Sequence, residues 1–255
     1  MVIGWVHREQ PGASAWAQVE AAQRDVRLPC LLVPQPAHAV LAGELAAALL
    51  PAAFGELPPE IQRAIQMHDT GWAASDAQQI QRLRSAAGSR EAPVSFIAIS
   101  PQESTEAWTA SIDAVEAFSK PGAVIVSRHF SLLAQHDQPH HQRFLNAEKS
   151  RRQKLEGGAP KGADLDRWTA ALGFCDLVSL YLLSGLSREV EFPLAHPASA
   201  EAHNSPRVTL QLDLHHLRFT PATLRSGCTL AIQALKHLVS AQGSRFETLT
   251  WEVVS

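Results

Sequence analysis

Two side chains able to bind a metal stand next to each other at His68 and Asp69, inside the stretch Ile-Gln-Met-His-Asp-Thr-Gly-Trp from Ile65 to Trp72. Consecutive helical residues project about 100° apart, so this imidazole and carboxylate can grip one ion from either side of a helix edge. Thr70 and Gly71 then stop the helix, glycine supplying the freedom that a C-terminal turn needs. The pair becomes a site only if distant segments supply partners. His38 and Asp176 are the candidates for metal ligation, with His129 as a fifth donor. Two imidazoles and two carboxylates suit Mn, Fe, Co, Ni or Zn better than Ca, as one ion or two. An ion with open positions lowers the pKa of bound water and polarises a phosphoryl oxygen, which is hydrolytic equipment.

Asp176 gives the strongest physical reason to expect a site. It lies midway along Trp168 to Leu183, a helical segment apolar nearly all round. A carboxylate buried there costs several kcal/mol unless it is paired, protonated or bound to an ion. Hydrogen bonding to backbone or to Arg128 is the bland alternative. Arg128 and His129 interrupt another apolar run, Ala123 to Ala134. That setting requires Arg128 to pair with Asp69, Asp176, Glu44 or a substrate anion, and makes Arg128 and His129 candidates for stabilising developing charge. Asp69 is a candidate for orienting the attacking water.

The elements that must position these groups are mostly helices. Pro36 opens an Ala- and Leu-rich helix running to Leu50, with His38 in its first turn; Pro51 ends it and Pro58-Pro59 open the next, which reaches His68. The two form an αα-hairpin that can turn His38 towards His68. Helices are also expected over Asp76 to Ala87, Glu103 to Ser119 and His140 to Leu155, with a flexible loop from Gly157 to Gly162 and Asp164 or Asp166 capping the helix that carries Asp176. Leu28 to Val33 reads as a short strand. Beyond Pro197, the segments Val208 to Phe219, Cys228 to Val239 and Leu249 to Val254 are β-compatible.

The remaining candidates weaken on inspection. His136-Asp137 is a second pair, but Gln-Pro-His-His follows it and a surface loop is expected. His140, His141, His196, His203, His215 and His216 fall in polar or alternating segments and are expected to share no metal; His215 and His216 point to opposite faces of a strand. Lys149, Arg151, Arg152 and Lys154 can hold a phosphate or simply form a solvated helix face. Trp72 packs on the helix pair or walls a ring-binding pocket. Glu44 points away from His38.

Composition sets the outer limits. The chain has 255 residues, 45% hydrophobic and 18% charged, and a formal charge of −3 that offers no global attraction to a nucleic-acid polymer or an anionic membrane. Three dispersed cysteines without a C-x-x-C pattern, and no basic-then-apolar leader, fit a reducing cytoplasm.

The order His38, His68-Asp69 and a late helical Asp176 resembles the HD superfamily of metal-dependent phosphohydrolases. The fuller pattern, Gln35-x-x-His38 with Gly43 and Glu44, His68-Asp69-x-Gly71-Trp72, Ser127-x-His129 and Asp176-Leu177-x-Ser179-Leu180, is similar to an uncharacterised bacterial family known only as a domain of unknown function. The resemblance implies a helical fold with one or two metals at its centre. It matches His38, His68, Asp69 and Asp176 to the metal positions and His129 to an extra histidine that serves a second metal or the substrate. The expected fold is therefore mainly α: an all-α, HD-like domain over 1–200 with a short lead-in, and a small antiparallel β-appendage over 201–255. The expected function is hydrolysis of a nucleotide or small phosphorylated metabolite. A non-catalytic metal- or ligand-binding module and a di-iron oxygenase are the alternatives, and a homo-oligomer is left open.

Overall fold

In the computed structural model the described residues are 1–4, 13–25, 30–85, 92–155, 162–185, 189–213, 215–237 and 245–255. Nine helices lie among them: α1 (Ala15–Arg24), α2 (Gln35–Ala48), α3 (Pro51–Phe54), α4 (Pro59–Gln66), α5 (Ala73–Ser85), α6 (Pro101–Glu116), α7 (Lys120–Ala134), α8 (Gln138–Leu155) and α9 (Gly162–Leu183). Seven strands accompany them: β1 (Val2–Gly4), β2 (Cys30–Val33), β3 (Glu189–Pro193), β4 (Arg207–Asp213), β5 (His216–Thr220), β6 (Thr229–His237) and β7 (Arg245–Val253).

Local chemistry explains the helix starts. Prolines stand in the first turns of α2, α3, α4, α6 and α7, where a missing N–H costs nothing. Ser100 and Glu103 form a reciprocal capping box on α6, and the Ser119 hydroxyl accepts the Gly122 N–H on α7. No side chain of its own caps α2. The Asp76 carboxylate of α5 accepts the Gln35 N–H instead, at 2.5 Å. Gly162 opens α9, so Asp164 and Asp166 lie inside that helix rather than at its cap. The loop expected over 157–162 lies almost wholly outside the described residues.

The strands form one sheet in the order β1-β2-β6-β7-β5-β4-β3. Every neighbouring pair is antiparallel except β5 and β7, which run parallel. This corrects the mainly α, all-α expectation: the sheet is large and mixed, and strands from the start of the chain belong to it. β2 zips onto β6, Leu32 opposite Leu235, and β1 onto β2. The short strand expected over Leu28 to Val33 is β2, whereas β1 was not foreseen, being three residues long and wholly buried. Strands covered on both faces lack the polar alternation by which a half-buried strand announces itself.

One apolar core joins the helices to the sheet. Leu41 and Leu45 of α2, Ile61 and Ile65 of α4, Val124 and Ile125 of α7 and Leu172 and Val178 of α9 share it with Val2, Leu31, Leu210, Leu230 and Trp251 of the strands. α2 is also fastened to β6 by polar contacts, the Glu44 carboxylate accepting the Ala231 N–H at 3.2 Å. Glu44 thus faces the sheet, not the ligand cluster. Among the described residues no helix is long and apolar enough to cross a membrane.

Candidate metal centre

α2 supplies His38 and α9 supplies Asp176, whereas His68 and Asp69 stand in the turn just after α4, which ends at Gln66, short of the expected reach to His68. Two glycines allow these elements to meet. A Cβ on Gly43 of α2 would lie 2.6 Å from the Gln66 Cβ of α4, and one on Gly71 would lie 2.1 Å from the Ala107 carbonyl oxygen of α6. The Gly71 N–H donates to Ser111 Oγ at 2.9 Å, which fixes the turn just after Asp69.

The donor atoms of His38, His68, Asp69 and Asp176 all lie within 4.8 Å of one another, and all four residues are buried. His38 Nε2 is 3.0 Å from Asp176 Oδ1 and 3.4 Å from Asp69 Oδ2; His68 Nε2 is 3.4 Å from each. Despite this proximity neither Nε2 makes a directed hydrogen bond. Donors about 2.0–2.2 Å from one shared ion lie about 3.0–3.5 Å from each other, so the spacing is that of a coordination shell.

The outer nitrogens of both rings are anchored. His68 Nδ1 donates to the Ile65 carbonyl at 2.7 Å. Ser179 Oγ gives its own proton to the Asp176 carbonyl at 2.7 Å and so accepts from His38 Nδ1 at 2.7 Å. Each ring therefore commits its Nδ1–H outwards and turns Nε2 inwards, the usual support for a metal-binding histidine. The buried His/Asp cluster can hold a metal ion.

The electrostatics agree. Burial opposes the charged form of His38, but the Asp176 and Asp69 carboxylates at 3.0 and 3.4 Å outweigh it and hold its pKa up at about 9. His68 is raised by the same contest. Burial works against the charged Asp176 carboxylate, yet His38 and His68 hold its pKa well below the usual range. In the metal-free chain protons supply the positive charge that an ion would bring.

A cavity of about 480 Å³ reaches the cluster, with His38, Asp69 and Asp176 in its wall. Trp16, Trp72, Phe96, Trp108 and Phe130 make much of the remainder. Trp72 is therefore both packed, at 3% exposure, and part of the lining. Arg24 is the cation among the described lining residues, bonded to Glu20 at 2.7 Å.

The other candidates are placed as follows. His129 Nε2 lies 3.8 Å from Asp176 Oδ2, beside the four donors. Arg128 donates to Asp166 at 2.7 Å and lines a separate depression with Arg152 rather than the cavity at the cluster. Arg151 joins Glu148, Glu116 and Asp113, and Arg152 bonds the Ser127 and Ser131 hydroxyls; both tie α8 to its neighbours. His140, His203, His215 and His216 are exposed, and the side chain of His136 lies outside the described set. Asp137 and His141 line the cavity, and His196 packs on His129. Sequence reading missed the placement of these last three. The available signals were Pro197 beside His196 and Gly173, three residues before Asp176, whose absent side chain makes room for that imidazole.

A helical His/Asp cluster set on a mixed sheet is thus the class of structure in hand. The chain belongs to the family described as "Protein of unknown function (DUF3891)", which matches residues 23–228 and so takes in every candidate ligand. No curated protein and no solved structure matches it, and the likeness to the HD superfamily rests on the residue pattern alone.

Proposed function

We propose that the protein is a divalent-metal-dependent hydrolase of phosphate esters, acting on a nucleotide or small phosphorylated metabolite. The observation that carries this reading is the convergence of four donors at the base of a cavity open enough to admit a substrate. His38, His68, Asp69 and Asp176 hold the ion; their mutual closeness suits one ion rather than two. When bound, such an ion polarises a phosphoryl oxygen and lowers the pKa of water. Asp69, in the cavity wall, orients the attacking water. The aromatic walls take up the apolar or ring-bearing part of the substrate. Arg24 is already engaged with Glu20, so the ion carries most of the attraction for the phosphoryl group.

The rival binding module would call for a closed cluster and an exposed apolar patch on the C-terminal strands. Among the described residues the large exposed hydrophobics are Val40 and Phe246, and the cavity reaches Asp69. Both observations favour catalysis. Elemental analysis of the purified protein, beside His68→Ala and Asp69→Ala variants shown to be folded by circular dichroism, is expected to find Mn, Fe, Co, Ni or Zn in the parent and none in the variants. Turnover of a nucleotide and sugar-phosphate panel is expected to require the metal and to vanish in Asp69→Ala. Unchanged turnover in that variant would sink the proposal, and bound iron with visible colour would redirect it to oxygenase chemistry.

A further inference from the structure

We infer that His129 is a hydrogen-bond donor fixed beside the metal cluster by His196, and not a fifth ligand; the inference rests on the metal-site reading. It follows from counting protons along a chain of contacts that begins at the backbone. The Ala198 N–H donates to His196 Nδ1 at 3.1 Å. An amide nitrogen can only donate there, so His196 Nδ1 is bare and the ring carries its proton on Nε2. His196 Nε2 is 2.8 Å from His129 Nδ1, which must then be the acceptor. His129 in turn carries its proton on Nε2, the nitrogen that faces the cluster, 3.8 Å from Asp176 Oδ2.

His38 and His68 are arranged the other way: their Nδ1–H groups are held by the Ser179 hydroxyl and the Ile65 carbonyl, so that Nε2 is the nitrogen left to give up its proton and ligate. For His129 to ligate through Nε2, its proton would have to move to Nδ1 and face the proton of His196 across a 2.8 Å gap. Both rings are locked in place. His129 is 2% exposed and His196 5%. A Cβ on Gly173 would come within 2.5 Å of His196 Cδ2, so α9 is bare where that imidazole lies against it.

The Nε2–H of His129 is beyond hydrogen-bonding distance of Asp176 and lines the cavity, where it can meet an anionic oxygen of a ligand held at the ion. His129 would contact the substrate; His196 is a positioning residue.

Carbon–nitrogen correlation spectra of the histidine rings in the folded, metal-free protein read the tautomers directly. His129 is expected to bear its proton on Nε2; a proton on Nδ1 would overturn the assignment. Calorimetric titration with Zn²⁺ is expected to give His129→Phe an affinity within about threefold of the parent, while His68→Ala loses binding. Equal loss in His129→Phe would make it a ligand. Inorganic phosphate is expected to bind the zinc-loaded His129→Phe protein about tenfold more weakly than the zinc-loaded parent, as for one lost hydrogen bond to a charged group. His129→Gln, which keeps a side-chain N–H, is expected to recover part of that affinity. Unchanged phosphate affinity in His129→Phe would refute the donor role. In His196→Ala the His129 ring is expected to become a mixture of tautomers with zinc affinity retained; a pure Nε2–H form would remove His196 from the scheme. If the parent takes up no zinc the metal-site reading fails, and the spectra alone then decide whether His129 is held as described.

Discussion

At the residue scale, the fate of one hydroxyl shows how the site is controlled. Ser179 can accept the His38 proton only because its own proton is committed to the Asp176 carbonyl, one turn earlier in α9. Its removal leaves His38 Nδ1 without an acceptor and the ring free to swing. Ser179→Ala is therefore expected to keep the fold at a cost of about 1–3 kcal/mol and to weaken zinc binding about 10- to 100-fold. Titration calorimetry beside thermal denaturation separates the two effects; intact affinity would show that Ser179 does not orient His38. The four ligand candidates were legible because each was an oddity in its own neighbourhood: adjacent His68 and Asp69, and an acid or a histidine inside apolar helices. His196 was not, since it lies in a proline-bounded segment outside any helix or strand and only the fold carries it to His129. Arg128 misled for a related reason. Its own helix is apolar, but its side chain leaves that face and reaches Asp166.

At the scale of elements, proximity is decided by what glycine omits. Gly71 abuts backbone, the Ala107 carbonyl of α6, which has no flexible end to yield. Gly71→Ala is expected to destabilise the protein by about 1–3 kcal/mol or more, lowering the thermal midpoint and the zinc content together. Gly162, in the first turn of α9, has nothing within 4 Å of where a Cβ would stand. Gly162→Ala is expected to be neutral or stabilising by up to about 1 kcal/mol through the unfolded chain. Thermal melts of the two variants side by side test the contrast; equal destabilisation would refute it. Several helix positions were readable from proline and apolar spacing, but not α1, and not the start of α9, which lies before Asp164 and Asp166. The extent of the sheet was not readable, because β1 lacks alternation, nothing in β2 points to β6 as its partner, and the parallel match of His216 and Leu217 with Glu252 and Val253 leaves no trace in either segment.

For the whole molecule, the cluster links stability to pH. In the metal-free chain the His38 pKa of about 9 lies above its ordinary 6.5, and His68 is raised as well. A raised pKa gives stability that is complete below about 6.5 and is lost as pH climbs through about 9, for His38 on the order of 3 kcal/mol. Burial and the neighbouring His196, His68 and His38 hold His129 well below 6.5, so its contribution has the other sign and fades on acidification. The depressed Asp176 likewise withdraws support as pH falls below the ordinary carboxylate range. Denaturant titrations of the metal-free protein are therefore expected to show declining stability from pH 6.5 to 9. Zinc displaces the same protons, so its affinity is expected to rise over that interval. A flat profile for the metal-free protein would mean that His38 is not charged in the cluster.

The pairing of β2 with β6 also matters while the chain is being made. β1 and β2, antiparallel partners with α1 between them in the chain, are synthesised well before β6, whose residues 235–237 cover the free edge of β2. Until β6 has been made, that edge offers unpaired amides and carbonyls beside Leu31 and Leu32 to any passing strand. Nascent chains that have not yet reached β6 are thus the stickiest, and a translational stop before it is expected to release a fragment prone to aggregate.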